Sequence, residues 1–397
     1  MPLPLNPNLA ATIAPPVMEA RRWLAETPLP DGLPLLNLSQ AAPVDPPPPA
    51  LRQALADAVL SDDAAHLYGP VLGLPELRET LAARWTEQYE GDIAATDTAI
   101  TSGCNQAFCV AVQSLAEPGD NVILPLPFYF NHKMWLDMLG IEARLAPPGE
   151  GLIPDLEIVQ GLMDARTRAI VFVTPNNPTG VEYPDGLMRS ALDLARAKGV
   201  ALIVDETYRD FHSRSGPPHG LFTDPDWRDT LIHLYSFSKV FRLTGHRVGA
   251  LIAAPERLAQ IEKLLDSTTI CPSQIGQRAA LFGLRQMADW VAEERLEILR
   301  RRSAIEAAFD GLEGWDILGA GAYFAYVRHP FEAASSALAP RLLAQASLLT
   351  LPGTMFAPTR AEGGDGLAET TLRIAFANAD ESGIADLADR LRRLGTA

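Results

Sequence analysis

The sequence of 397 residues predicts an α/β fold with a mostly parallel central sheet and flanking helices, plus a smaller α+β domain. Three observations carry this. Short continuous apolar runs alternate with segments whose apolar residues fall three and four apart, the signature of buried strands separated by amphipathic helices. The pattern changes near residue 286, where a long helical stretch gives way to weaker mixed segments. The length is too great for one ordinary domain and comfortable for two.

The elements follow in order. Residues 1–44 read as an N-terminal arm with part of the small domain, ending at the proline cluster Pro43-Val-Asp-Pro-Pro-Pro-Pro49. Each ring there fixes its own φ and disfavours helix at the preceding residue, so the stretch is stiff and extended. Residues 45–285 read as the large domain, with helices over 51–60, 74–89, 106–115 and 188–198. Its strands are expected over 98–101, 121–125, 169–174, 201–205, 231–236 and 248–253. Residues 286–397 read as the small domain, with helices over 290–309 and 383–394 and strands over 323–328 and 372–376.

Composition narrows the function. Hydrophobic residues make up 47% and charged residues 21%, the balance of a chain with a real core. Lys and Arg number 33 against 49 Asp and Glu, a net charge of −16, which opposes binding to nucleic acid. Cys104, Cys109 and Cys271 are few, odd in number and not in metal-ligand spacing, so neither a disulfide framework nor a metal site is expected. No run approaches the roughly 18 apolar residues of a membrane span. The first 16 residues lack a basic start before an apolar run, so no signal peptide is expected. The expectation is a cytoplasmic protein.

Polar motifs gather just after the strands, where α/β sheets bind ligands. Ser236-Phe-Ser-Lys239 follows one strand, with Arg247 eight positions on in His-Arg-Val-Gly. A lysine there has its ammonium paired or partly desolvated, and desolvation lowers an amine pKa toward that of a nucleophile. A surface lysine at a strand end is the plainer alternative. Asp205-Glu-Thr-Tyr208 offers a carboxylate for a cationic ring nitrogen and a phenol as donor, or else merely caps a helix. Asn176-Asn-Pro-Thr-Gly180 has turn composition and an amide that could reach into a site. Thr101-Ser-Gly-Cys-Asn105 lies between a strand and a helix, where free N–H groups suit a phosphate or simply a cap. Arg373, mid-strand in Leu-Arg-Ile-Ala-Phe, needs a partner, either a substrate carboxylate or a structural acid.

Taken in this order, the motifs resemble the class I/II aminotransferases of the PLP-dependent (pyridoxal 5'-phosphate) fold-type I superfamily, from about Asn37 to Arg373. The resemblance implies that Lys239 is the Schiff-base lysine and Asp205 the partner of the pyridinium nitrogen. It implies that Tyr208 and Asn177 bind the ring oxygen, and that Ser102, Gly103, Cys104, Ser236 and Arg247 hold the phosphate. Tyr129 falls at the place of the aromatic that stacks on the ring, with Phe128 beside it as a rival. Tyr68, in Tyr-Gly-Pro-Val-Leu-Gly, matches a tyrosine that reaches the neighbouring subunit's phosphate, which implies a homodimer with shared sites. Arg373 and Asn177 fall at the substrate carboxylate. Ala41 stands where the family often has glycine, narrowing the site beside the substrate. The activity implied is exchange of an amino group between an α-amino acid and a 2-oxo acid by a ping-pong route, catalysed by Lys239, Asp205 and Tyr208. A PLP-dependent β-C–S lyase of the same fold is the alternative.

Overall fold

A computed structural model describes residues 3–40 and 42–394. Seven strands form the main sheet: β1 Thr98–Thr101, β2 Asn121–Pro125, β3 Glu142–Ala146, β4 Thr167–Val173, β5 Ala201–Asp205, β6 Leu231–Ser236 and β7 Gly249–Ile252. Their order is β1-β7-β6-β5-β4-β2-β3. Neighbours are parallel except at β7, which runs antiparallel to both β1 and β6. The mostly parallel sheet expected from the apolar runs is therefore present. All of its strands but the edge strand β3 are buried along nearly their whole length because helices cover both faces.

One face buries Leu77, Leu81, Trp85, Phe172, Leu192 and Tyr235. The other buries Phe108, Leu124, Leu136, Val171, Ile203 and Leu251. The alternation of each strand divides its residues between these two cores. A four-stranded antiparallel sheet lies in the C-terminal part: β8 Asp316–Gly321, β9 Phe324–Arg328, β10 Leu351–Pro352 and β11 Thr371–Ile374, ordered β10-β11-β9-β8. The N-terminal segment joins this region, since Leu36–Asn37 pairs in parallel with Leu348–Leu349.

Three differences from the sequence expectation have clear causes. The helix expected from residue 51 starts at Pro49, because the last ring of the proline cluster fits the first helical turn, where its missing N–H costs nothing. The helix expected from residue 106 starts at Cys104, directly after Gly103. β3 was not expected. It is an edge strand with the sequence Glu-Ala-Arg-Leu-Ala, too polar to stand out as an apolar run.

Candidate active site

The carboxyl ends of β4, β5 and β6 open into one cavity of about 240 Å³. Asn177, Asp205, Tyr208, Ser236, Lys239 and Arg247 all line it, together with Cys104 and Tyr129. Residues separated by as much as 143 positions thus converge because parallel strands deliver their following turns to the same edge of the sheet.

Lys239 lies in the short helical turn Phe237–Val240 after β6, capped by Ser236, whose Oγ accepts from the Ser238 N–H at 3.2 Å. Burial, then the nearby charges of Arg247 and Arg373, push the Lys239 amine down from 10.5 to about 8. Its Nζ stands 5.8 Å from the centre of the Tyr208 ring. That ring is packed edge-on against Phe324 and tilted against Tyr323, which fixes its position. Burial holds the Tyr208 phenol well above its ordinary value, so it is a donor at neutral pH.

Asp205 ends β5 and is buried. Burial pushes its carboxyl up, but His132 and the Thr207 backbone more than offset this, and the group titrates below its ordinary value. His132 Nε2 is 3.3 Å from Oδ2, and the Thr207 N–H donates to Oδ1 at 3.0 Å. The Cys104 thiol, kept protonated by burial, lies 3.5 Å from Oδ1. His132 is itself stacked on Phe108, with ring centres 3.8 Å apart. The sequence reading passed over His132. Its signal was position: it follows Tyr129 by three residues in the first turn of the helix Phe130–Leu139.

The Ser102-Gly103-Cys104 turn precedes the helix Cys104–Gln113. Gly103 has φ +90°, and a Cβ there would fall 2.3 Å from Arg247 Nη2, so only glycine lets the guanidinium close on the turn. Arg247 Nη1 donates to the Thr244 carbonyl at 2.9 Å. The Ser102 N–H is already taken by Gln106 Oε1 at 2.6 Å, so it is not a spare donor.

The two asparagines of the Asn-Asn-Pro-Thr-Gly turn divide their work. Asn176 Oδ1 accepts from both the N–H and the hydroxyl of Thr179 and shapes the turn. Asn177 Oδ1 accepts from Arg373 Nη1 at 2.8 Å, leaving its amide donors for a ligand. Arg373 is 2% exposed, lies between the rings of Phe324 and Phe356, and also donates to the Ser39 carbonyl. Its Nε is buried with no hydrogen-bond partner, and Arg373 stands behind Asn177 rather than among the residues that line the cavity.

Tyr129 lines the cavity, whereas Phe128 is buried away from it, so Tyr129 is the aromatic that faces a ligand. Tyr68 is 80% exposed and does not line the cavity of its own chain. Ala41 lies outside the described residues; its neighbours Gln40 and Ala42 line the cavity. Among the described residues no cluster of His, Cys, Asp or Glu is arranged to hold a metal ion, and no helix is long and apolar enough to cross a membrane.

An amine of lowered basicity, a buried ionised carboxylate and an arginine folded over a glycine turn stand around one cavity, and their chemistry fits an aldehyde cofactor bearing a ring cation and a phosphate. The comparisons agree. Residues 34–391 match the family model described as aminotransferase class I and II, and the chain belongs to that family. It is a PLP-dependent aminotransferase that exchanges an amino group between an amino acid and a 2-oxo acid. An aromatic aminotransferase of Arabidopsis thaliana is 28% identical, over 98% of this chain and 95% of that protein. A valine–pyruvate aminotransferase of Mycobacterium tuberculosis is 29% identical, over 91% and 90%. The fold matches that of the aspartate aminotransferase of Thermus thermophilus with maleate, at TM-score 0.88 and 24% identity over 99% of this chain and all of that one.

Proposed function

We propose that this aminotransferase works on α-amino acids with uncharged side chains, and that Lys239, Asp205 and Tyr208 are its catalytic residues. The observation that carries the assignment is the convergence of Lys239 and Asp205 on one cavity, with the amine lowered and the carboxyl kept ionised. Bound PLP supplies an aldehyde that takes up the amino group and a ring that accepts the electrons left at the substrate Cα.

The chain's own residues do the rest. Lys239 Nζ would hold the cofactor aldehyde at rest and, once released as a neutral amine, would carry the proton from the substrate Cα to the former aldehyde carbon. Asp205 stays ionised against the ring nitrogen and keeps it protonated. Tyr208 Oη and the Asn177 amide would donate to the ring oxygen, and Tyr129 would cover the ring face. Gly103, Cys104, Ser236 and Arg247 surround the phosphate, with Ser102 shaping the turn rather than donating its N–H. Arg373, oriented by Asn177, clamps the substrate carboxylate.

Uncharged side chains are favoured because the lining cations, Lys239 and Arg247, already have roles, and Gln40, Ala42, Asn105 and Thr244 are neutral. The named substrates of the Arabidopsis and Mycobacterium relatives fit this choice. We further propose a division into residues 1–44 with 286–397 as the small domain and 45–285 as the large one. The working unit is a cytoplasmic homodimer in which Tyr68 completes the partner's phosphate site.

The test is a panel of amino acids, each mixed with the PLP-loaded protein while the cofactor absorbance is followed. Leucine, valine or an aromatic amino acid should convert the cofactor to its amino form, with aspartate slower by at least about tenfold. Preference for aspartate would refute the substrate class. Lys239→Ala should lose turnover and the lysine-bound absorbance while keeping the fold, and retained transamination in that variant would refute the catalytic assignment.

A further inference from the structure

β6 is shared between two cavities. Strand alternation turns Ser236 into the catalytic cavity and its neighbour Tyr235 to the other side. There Tyr235, Trp85, Val240, Phe241, Leu284 and Val291 wall an apolar space of about 100 Å³. It adjoins a more open hollow of about 360 Å³, since Arg84, Gln88 and Arg209 line both. Glu87 and Glu90, both exposed, stand on the rim of that hollow. None of these residues belongs to the chemistry assigned above, yet Arg209 directly follows Tyr208, and Val240 directly follows Lys239.

Arg209 is 7% exposed, and its guanidinium carbon lies 4.4 Å from the centre of the Trp85 ring. Its Nη1 donates to Gln88 Oε1 at 2.8 Å and stands 3.5 Å from Asp210 Oδ1. Asp210, which also lines the inner space, is taken up from its other oxygen by the Tyr235 hydroxyl at 2.7 Å. Arg209 Nε is buried and has no hydrogen-bond partner among the described residues. A buried guanidinium donor left open is costly, so an acceptor arriving there is favoured. Arg84 supplies a second guanidinium, half-buried and held to the Leu284 carbonyl by Nε at 3.2 Å and Nη2 at 2.6 Å. The polar end thus offers two guanidinium groups inside and two carboxylates outside, next to an apolar recess.

We propose that the two spaces together form a second binding site, apart from the catalytic cavity, for a zwitterionic amino acid with a short aliphatic side chain. Its carboxylate would lie between Arg84 and Arg209 and accept from the open Nε. Its ammonium would face Glu87 and Glu90, and its side chain would enter the apolar recess. A cavity of about 150 Å³ holds benzene. The recess here, at about 100 Å³, therefore admits a branched aliphatic chain and rejects an aromatic ring. The bound molecule rests against the segments that carry Tyr208 and Lys239, and its binding does not depend on the substrate class proposed for the catalytic cavity.

The test is equilibrium dialysis of labelled valine against PLP-loaded protein reduced with borohydride, which fixes the cofactor to Lys239 and leaves it unable to take up an amino group. One valine should bind per chain, and phenylalanine should bind at least about tenfold more weakly. Arg84→Met removes one guanidinium and keeps the apolar stem. Ala288→Phe, at an exposed position lining the recess, fills it from the mouth. Each should raise the Kd for valine about tenfold or more. Before reduction, both variants should keep the cofactor absorbance and the wild-type rate of amino-group uptake, which shows that fold and catalytic cavity are intact. Binding that survives either variant unchanged belongs to another site, the catalytic cavity included, and overturns the proposal. Absence of saturable binding at millimolar valine, or equal affinity for phenylalanine, overturns it as well.

Discussion

Lys239 holds a proton less firmly than a lysine in water because burial and two guanidinium groups oppose its charge. The folded chain therefore releases that proton near pH 8 and the unfolded chain near 10.5. Between these values the unfolded state binds more protons, so the cofactor-free protein gains stability as pH rises through the window. The same shift sets its reactivity, since only the neutral amine captures an aldehyde. The rate at which cofactor-free protein captures PLP should climb through a midpoint near pH 8, measured by stopped-flow absorbance. A midpoint near 10 would show that burial does not tune the amine. Sequence alone made Lys239 legible through Ser236-Phe-Ser-Lys239 and Arg247. Desolvation, the main cause of the lowered basicity, could be expected from its place after a strand, but the share of Arg373 could not, because that residue lies 134 positions away in the numbering. His132 stayed hidden for a related reason. A lone histidine in a helix announces nothing until the fold sets it against Asp205.

Turns after strands carry the site, and each is locked by something outside the motif. Gly180 shows this for the Asn-Asn-Pro-Thr-Gly turn. It has φ +74°, and a Cβ there would fall 2.3 Å from the Gly321 N and 2.6 Å from the Phe324 carbonyl oxygen. The turn therefore presses backbone to backbone on the small sheet, beside the place where Asn177 meets Arg373. Gly180→Ala should push that seam apart, raising KM for the amino acid by about tenfold, with less effect on cofactor affinity; steady-state kinetics and PLP titration separate the two. The sequence marked this glycine only as turn composition, since its close contact is with a strand end more than 140 residues away.

β5 is anchored from behind by a different device. Asp205 faces the cavity, whereas the next side chain, Glu206, is fully buried away from it and receives the hydroxyl of Tyr89. His233 Nε2 lies 2.7 Å and His219 Nε2 3.3 Å from the same oxygen. Burial pushes the Glu206 carboxyl up, but the two histidines prevail and hold it well below its usual range. Its stabilising contribution is thus present above its ordinary pKa of 4.5 and fades as pH falls through the lower folded value. Glu206→Leu removes the acceptor shared by Tyr89 and His233 and the carboxylate beside His219, and should cost about 3 kcal/mol or more in urea unfolding. A cost near zero would mean that the cluster relaxes without its carboxylate. The role of Glu206 was not legible in the sequence, because the alternation of the folded strand decides which of two adjacent acids faces the cavity.

At the scale of the whole molecule, the cavity is made from three parts of the chain. The main sheet supplies Lys239 and Asp205, the N-terminal segment supplies Gln40 and Ala42, and the small sheet backs the wall through Arg373, which donates to the lining residue Asn177. The N-terminal segment is held by its pairing with Leu348–Leu349 and by Arg390, which donates to the carbonyls of Pro34 and Ala346. In the proposed homodimer a second copy adds to the site. Leu60, Leu67 and Tyr68, close together in the sequence, are large side chains left exposed, as such an interface would require. Sedimentation of the PLP-loaded protein should give twice the chain mass. Tyr68→Phe should keep the dimer, since it removes only a hydroxyl, but release PLP about tenfold faster, because a hydrogen bond to a charged group contributes roughly 1.5–3 kcal/mol. Dilution of the wild-type protein until it dissociates should produce the same loss of cofactor. A monomer that retains PLP with undiminished affinity would show instead that each chain completes its own phosphate site.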